Sequence, residues 1–150
     1  MLDKQVAAEK KLLSQVGGPT PGQGSCNVQA SGKALIAIRF ACAQLGKSYV
    51  YGATGPDHYD CSGLTMRAWG AAGVSTGRTT WNQWAMFPRV SYQNLQPGDL
   101  VFFDASLGHM GMYLGGGKMI QAPHTGDVVK ISDISSGYYR SQFQGGGHPS

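Results

Sequence analysis

Acidic residues are scarce in this sequence: aspartate and glutamate together number eight, against twelve lysines and arginines, and Glu9 is the single glutamate. The net charge of +4 suits an anionic partner, such as a bacterial cell wall, a nucleic acid or an acidic lipid, without choosing among them. No arginine-rich run and no nucleic-acid-binding fingerprint is present, which argues against a nucleic acid. Charged residues of both signs make up only 13% of the chain and hydrophobic residues 41%, a globular rather than a disordered composition.

Long apolar runs are also missing. No stretch reaches the length of a membrane span, and no secretory apolar segment follows Met1. A chain of 150 residues has room for one domain and at most one hydrophobic core. We therefore expect one folded domain and no membrane span in this chain.

Cysteine is rare as well: Cys26, Cys42 and Cys61 make an odd number. If Cys61 must stay free, Cys26 and Cys42 can pair in an oxidising compartment. The alternative, which we favour from the sequence, is that Cys42 is simply a core residue on its helix.

Composition divides the chain into three parts. Residues 1–24 are predicted to form a short amphipathic helix followed by a linker rich in glycine and proline. Residues 25–140 are predicted to form the folded domain. Residues 141–150, which include Gly145–Gly147, are predicted to form a flexible tail.

Helical patterns come first in the folded part and strand patterns later. Helices are predicted from Ser31 to Gly46, from Cys61 to Ala72 and, as a short stretch, between Arg78 and Pro88. Strands are predicted at Leu100–Phe103, Met110–Leu114, Lys118–Gln121 and Val128–Ile131. This order is typical of an α+β fold with helices packed on an antiparallel sheet, and not of the alternation that builds a parallel sheet.

Cys61 is the candidate nucleophile. It lies in Asp60-Cys61-Ser62-Gly63, between a glycine-rich stretch at 52–56 and an apolar helical run. A cysteine in the first turn of a helix feels the positive end of the helix dipole, which favours its thiolate, and Asp60 is placed to cap the helix. The alternative is a buried, inert cysteine, but its polar and small neighbours are not typical of an apolar core.

His109 is the candidate general base. It begins a predicted strand on which His109, Gly111 and Tyr113 share one face, and we expect the small Gly111 to leave the face of the histidine open. A histidine at the start of a strand is more often a surface residue, and only its pairing with Cys61 favours catalysis.

Two further residues complete a candidate active site. Gln121 ends the next strand, where its amide oxygen can accept a hydrogen bond from the imidazole and fix the tautomer. Tyr49 can donate its hydroxyl to a developing oxyanion, with the backbone N–H of Cys61 as the second donor. The alternatives are an ordinary exposed glutamine and an aromatic residue packed on a strand.

A metal or nucleotide site is weakly supported. The residues His58, Cys61, His109 and His124 invite a zinc interpretation, but the ligands do not occur in the paired motifs that zinc sites usually show. The glycine-rich loop at 52–55 lacks the Gly-Lys-Ser/Thr of a phosphate-binding loop. We therefore expect no metal and no cofactor.

Six ordered blocks of sequence resemble those of NlpC-type cysteine peptidases, a family of bacterial cell-wall hydrolases. The blocks are Tyr49–Gly52, Asp60–Leu64, Gly77–Thr80, Leu95–Phe103, His109–Gly115 and Met119–Gly126. Together they cover the chain from about Lys33 to Ile134. No single block is specific, but six in the same order make the resemblance highly specific.

The resemblance implies a minimal papain-like α+β fold, with the catalytic cysteine at a helix N-terminus packed on an antiparallel sheet that carries the histidine. It implies hydrolysis of an amide in peptidoglycan stem peptides, most commonly the bond between D-γ-glutamate and the diamino acid. Cys61 and His109 would be nucleophile and base, and Tyr49 would serve the oxyanion. The matching positions Asp60, Ser62, Arg78 and His124 would lie near the substrate, the last of them as a lining of the cleft.

The sequence departs from the family at two positions. The third catalytic position, commonly a histidine, falls on Gln121, and the second glycine after Tyr51-Gly52 is Ala53. Glutamine can still orient an imidazole, so we expect activity, weakened by the exchange. The alternatives are a wall-binding module that has lost catalysis and an amidase or acyltransferase built on the same two residues.

A protein that acts on the cell wall needs a route out of the cell. We expect an extracellular or wall-facing location, with this chain as a domain of a longer secreted or tethered protein that carries other domains, or with export by another route. The predicted helix in residues 1–24 is expected to dock over the cleft or to attach the domain to a partner.

Overall fold

One antiparallel sheet of six strands is the frame of the fold. The structure is a computed structural model and describes residues 7, 26 and 28–149. The order across the sheet is β1-β6-β2-β3-β4-β5, and every neighbouring pair is antiparallel. The strands are β1 (Arg89–Val90), β2 (Leu100–Phe103), β3 (His109–Gly115), β4 (Lys118–Gln121), β5 (Lys130–Asp133) and β6 (Phe143–Gly147).

Most of the helices precede the sheet in the chain. The described residues form α1 (Gly32–Cys42), α2 (Cys61–Ala71), α3 (Thr80–Met86) and α4 (Gly137–Gln142), with one 3₁₀ turn at Tyr92–Asn94. The predicted α+β fold, with helices packed on an antiparallel sheet and Cys61 at the start of a helix, is confirmed. Among the described residues, no helix has both the length and the apolar character needed to cross a membrane. The predicted helix and linker of residues 1–24, Ala7 excepted, lie outside the described residues.

The alternation of side chains along β3 builds two cores, one on each face of the sheet. On one face, Met110 and Met112 pack in the main core together with Leu64 and Trp69 of α2. On the other face lies a smaller cluster of buried residues: Val101, Phe103, Met119, Ile134 and Tyr139. The Thr65 hydroxyl of α2 contacts the Met110 sulfur at 3.6 Å, so the first turns of α2 lie against the beginning of β3.

The glycine-rich C-terminus is not a tail. The prediction of a flexible segment from residue 141 is wrong, because α4 extends to Gln142 and β6 pairs with both β1 and β2. A Cβ added at Gly146 would lie 2.7 Å from Leu95, and one at Gly145 would lie 3.3 Å from the Trp84 ring. The glycines therefore let other side chains approach the strand closely rather than fray it.

The preferred interpretation of Cys42 as an unpaired core residue is also wrong. Cys42, the last residue of α1, forms a disulfide bond with Cys26. Cys61 lies outside this disulfide and is buried.

Candidate active site

The N-terminus of α2 positions Cys61. Asp60 is the N-cap residue, and its Oδ1 accepts a hydrogen bond of 2.6 Å from the backbone N–H of Gly63. This cap makes Cys61 the first residue of the helix, where the dipole and the free backbone N–H groups favour a negative charge. Cys61 is only 2% exposed, and its Sγ lies 3.8 Å from the hydroxyl oxygen of Thr80.

Only a glycine fits at position 63, directly after Cys61 and Ser62. A Cβ at this position would lie 2.3 Å from the carbonyl oxygen of Ala53 and 2.9 Å from Asp60 Oδ1. The glycine-rich loop therefore passes directly over the first turn of α2, where its backbone also accepts a hydrogen bond of 2.9 Å from the N–H of Asp60.

An ion pair between Arg78 and Asp60 lies at the N-terminus of α2. Arg78 donates to both carboxylate oxygens of Asp60, at 3.2 and 2.8 Å, and to the Ser62 hydroxyl at 3.0 Å. The hydrogen bond to Asp60 raises the pKa of Arg78, and the negative charges that Cys61 and Tyr49 can carry raise it further. The Arg78 side chain is 37% exposed, so it offers charge at the surface beside the buried cysteine.

His109 and Gln121 are hydrogen-bonded to each other. His109 Nε2 lies 2.6 Å from Gln121 Oε1, both side chains are buried, and the amide belongs to the neighbouring strand β4. The prediction that Gly111 leaves this face open is wrong, because a Cβ there would lie 2.7 Å from Met119 Sδ and 3.4 Å from Gln121 Cβ. Gly111 is small because β4 packs its side chains over it.

This hydrogen bond defines the histidine tautomer. The Oε1 atom of Gln121 can only accept, so Nε2 of His109 carries the proton and Nδ1 keeps a lone pair. Burial lowers the pKa of His109 to about 4, although the bond to Gln121 and the charge of Asp104 oppose that shift. At neutral pH the imidazole is therefore an uncharged base.

A strained loop leads into His109. Asp104 and Leu107 have positive φ angles of 73° and 59°, which residues with a Cβ rarely adopt. Side-chain hydrogen bonds help to hold the loop: the Ser106 hydroxyl donates to the Asp104 carboxylate, and the Trp81 indole N–H donates to the Ser106 carbonyl at 2.8 Å. The tryptophan of α3 thus fixes the approach of the chain to the histidine.

Tyr49 and His124 occupy different surroundings. Tyr49 lies in the main core with Cys61, and its backbone bridges that of Tyr59, two residues before the cysteine. His124 is 2% exposed; its Nε2 lies 3.5 Å from Asp127 Oδ2, and its Nδ1 lies 3.0 Å from the Thr125 carbonyl. Both ring nitrogens thus have a polar neighbour, and the role of His124 as a lining of the cleft stays a prediction.

Sequence reasoning missed four polar residues of the site. Gln83 is fully buried; its Nε2 donates to the carbonyls of Ser62 and Gly77, and its Oε1 accepts from the Thr65 hydroxyl at 2.9 Å. Its amide thereby ties α3 to the first turns of α2. The others are Thr80 beside Cys61, and Ser132 and Tyr139 beside Gln121. Thr80 ends the block Gly77–Thr80 that resembles the family, which could have pointed to it, whereas the other three lie in no local pattern that sets them apart from ordinary polar residues.

The described residues of the site do not form a metal-binding cluster. Within the part of the chain that the structure describes, no group of three His, Cys, Asp or Glu side chains is arranged to hold a metal ion, and His58 is exposed while Cys61 is buried. A groove of about 570 Å³ lies elsewhere, between Lys33 and His148, and another of about 520 Å³ adjoins Arg78. Neither groove is lined by Cys61 or His109, so chemistry rather than cavity size identifies the site.

Known proteins resemble this chain in sequence and in fold. The family model described as NlpC/P60 family matches residues 46–147. The chain is 45% identical over 103 residues to the "Probable endopeptidase p60" of Listeria innocua, which covers 67% of this chain and 21% of that protein. It therefore spans about a fifth of the length of this relative.

Solved structures share the fold. An NlpC/P60 family protein from Bacillus cereus superposes with a TM-score of 0.73 at 28% identity, over 84% of this chain and 43% of that one. The NlpC/p60 domain of the peptidoglycan hydrolase SagA superposes with a TM-score of 0.68 at 27% identity, over 77% of this chain and 97% of that one.

Proposed function

Because the chain belongs to the NlpC/P60 family, we propose that it is a cysteine endopeptidase of the peptidoglycan stem peptide. Relatives named as endopeptidases and a structural neighbour named as a peptidoglycan hydrolase support this class of reaction. The bond proposed is the amide between D-γ-glutamate and the diamino acid, which the resemblance of the motifs implies.

The proposed reaction begins with proton transfer from Cys61 to His109. The thiol proton passes to Nδ1 of His109, the sulfur attacks the scissile carbonyl, and a tetrahedral oxyanion forms. The imidazolium then returns the proton to the leaving amine, so that the C–N bond breaks and a thioester remains. Water, deprotonated by the same imidazole, hydrolyses the thioester and restores the thiol.

Four further residues are proposed to bind substrate or the oxyanion. The Cys61 backbone N–H and the Tyr49 hydroxyl would stabilise the oxyanion. Asp60, Ser62 and the half-exposed Arg78 would bind polar groups of the stem peptide. His124, whose buried ring lies beside Asp127, is proposed to line the cleft.

The 2.6 Å contact between His109 Nε2 and Gln121 Oε1 is the observation that carries the proposal. It supplies an uncharged, oriented imidazole with its lone pair on Nδ1, which is the form that a general base requires. The departure of Gln121 from the common histidine therefore does not by itself remove the orienting bond.

Digestion of defined stem peptides, with the new termini identified by mass spectrometry, tests the proposal. We expect Cys61→Ala to abolish cleavage and His109→Ala to lower kcat by about 10²–10⁴-fold, the usual contribution of a general base. His58→Ala, which removes an exposed histidine, is the matched control and should cleave at the wild-type rate. Cleavage that survives in Cys61→Ala would rule out the mechanism.

Comparison of the wild type with Cys61→Ala also separates the alternatives. Equal retention of wild type and Cys61→Ala on cell-wall sacculi, without released peptides, would indicate a binding module, and products that carry a transferred acyl group would indicate an acyltransferase. We also propose an extracellular or wall-facing location. The Cys26–Cys42 disulfide supports it, because disulfides persist mainly in oxidising compartments.

A further inference from the structure

The side-chain amide of Gln121 has three polar neighbours, distributed unevenly over its two ends. Its Oε1 lies 2.6 Å from His109 Nε2, while its Nε2 donates to the Ser132 hydroxyl and to the Tyr139 hydroxyl, each at 2.8 Å. Ser132 comes from β5 and Tyr139 from α4, and Gln121 is fully buried. Two groups thus meet the nitrogen end and one meets the oxygen end.

This distribution selects one of the two orientations of the amide. In the observed orientation both N–H groups of Gln121 have acceptors. If the amide turned by 180°, its oxygen would face the two hydroxyls and its NH₂ would face His109, which can accept only one hydrogen bond there. One buried N–H would then lack a partner, which makes the turned orientation unfavourable.

The orientation decides which nitrogen of His109 is the base. A turned amide would donate to Nε2, so Nε2 would need its lone pair and the proton would move to Nδ1. An imidazole protonated at Nδ1 and bonded through Nε2 has no lone pair left to accept a proton from a thiol. A carboxylate would not present this problem, since both of its oxygens accept.

We propose that Ser132 and Tyr139 are positioning residues that hold the Gln121 amide with its oxygen towards His109 and thereby keep the imidazole in its Nε2–H tautomer. The consequence for turnover rests on the proposed peptidase function, whereas the effect on the tautomer does not. Burial raises the pKa of Tyr139, so its hydroxyl stays protonated throughout the working pH range.

The test measures the tautomer directly. In protein carrying ¹⁵N-labelled histidine, two-dimensional NMR correlates the ring carbons' protons with both ring nitrogens and distinguishes Nε2–H from Nδ1–H. We expect the Nε2–H form in wild type. In Tyr139→Phe, either orientation of the Gln121 amide leaves one N–H without an acceptor, so both orientations and both tautomers of His109 should be populated. The ¹⁵N shifts of the two ring nitrogens should therefore move towards each other. Ser132→Ala should do the same.

Two further variants separate positioning from a general structural effect. Tyr138→Phe removes the hydroxyl of the neighbouring residue on α4 and should leave the tautomer unchanged. Gln121→Glu in the Tyr139→Phe background, measured at a pH above the acid limb of that variant, should restore the pure Nε2–H form, because a carboxylate accepts at either oxygen. Folding of each variant is checked by its dispersed NMR spectrum.

The activity assay then reads out the consequence. We expect kcat of Tyr139→Phe and of Ser132→Ala to fall in proportion to the lost Nε2–H population, with little change in KM. Folded Tyr139→Phe and Ser132→Ala proteins that keep the wild-type tautomer would overturn the proposal. A wild-type protein with the Nε2–H tautomer but no cleavage would instead refute the peptidase function and leave the positioning role in place.

Discussion

Burial governs the acid–base behaviour of His109. The side chain is only 4% exposed, and the loss of water is the largest of the effects that lower its pKa to about 4. The dipole of α2 favours a thiolate at Cys61, but a stable thiolate–imidazolium pair also needs a charged imidazole, which burial opposes. We therefore expect a resting state of neutral thiol and neutral imidazole, with proton transfer during attack.

The pH profile of cleavage should show this low pKa. As the pH falls through about 4, the imidazole becomes protonated and can no longer accept the thiol proton, so kcat/KM should be lost there and not near the ordinary histidine value of 6.5. Stem-peptide cleavage measured from pH 3.5 to 8 checks the position of this acid limb.

Gln121→Glu is the matched control for that profile. A carboxylate beside Nε2 stabilises the imidazolium, so the acid limb should move to higher pH. An acid limb of the wild type at pH 6 to 7 would mean that the free enzyme exposes His109 to water or pairs it with a thiolate.

The helix α2 contains two glycines that differ in the space around them. At Gly70 a Cβ would meet nothing within 4 Å, whereas at Gly63 it would lie 2.3 Å from the backbone oxygen of Ala53. Because a backbone atom cannot move away as a flexible side chain can, Gly63 is the point at which the glycine-rich loop and the helix are locked together. The placement of Cys61 depends on that contact.

Alanine substitutions at the two glycines should therefore have opposite effects. Gly70→Ala should stabilise the protein by up to about 1 kcal/mol, the gain in helix propensity. Gly63→Ala should destabilise it by about 1–3 kcal/mol, the usual cost of overpacking, and should lower cleavage because the cap of Asp60 is displaced. Urea unfolding of both variants checks the signs, and equal stabilisation by both would show that the loop does not press on the helix.

Elements with a periodic pattern were predictable from the sequence, and those without one were not. Strands β2 and β4 were predicted with their observed bounds, because apolar residues and turn signals delimit them. Strand β6 was missed, because Phe-Gln-Gly-Gly-Gly has no alternation of apolar and polar residues. Its reason to be a strand lies in Trp84 and Leu95, which are far away in sequence and pack against its glycines.

The candidate site divides in the same way. Cys61, His109 and Gln121 were predicted as site residues because motifs and the register of two adjacent strands point to them. Gln83 and Tyr139 were not, because their hydrogen bonds join elements that come together only in the folded chain. Polar residues that hydrogen-bond to site residues from other elements have no local sequence pattern that shows they are buried. They can therefore be recognised only in the structure.

At the scale of the whole molecule, the two ends of the described chain are both secured. Strand β6 inserts between β1 and β2, which brings residues 143–147 into the interior of the sheet. Near the other end, the Cys26–Cys42 disulfide ties the segment before α1 to the last residue of that helix. The helix α1 packs in turn on α2, whose first residue is Cys61. The bond thus acts on an element next to the site without involving the nucleophile.

This disulfide should contribute to stability and not to chemistry. The two cysteines are 16 residues apart, and closing a loop of that size in the unfolded chain stabilises the folded state by about 3 kcal/mol in the chain-entropy treatment. We expect the double variant Cys26→Ser, Cys42→Ser to unfold at a lower temperature by scanning calorimetry, and to cleave stem peptides normally at 25 °C while it remains folded.

Treatment of the wild type with a mild reductant should lower its Tm to that of the double variant. Cys61→Ala, which removes the third sulfur, should leave Tm sensitive to the reductant, whereas the double variant should be insensitive. A Tm that reductant leaves unchanged in the wild type would show that the Cys26–Cys42 bond does not form in solution, and would remove the support that it lends to an oxidising location.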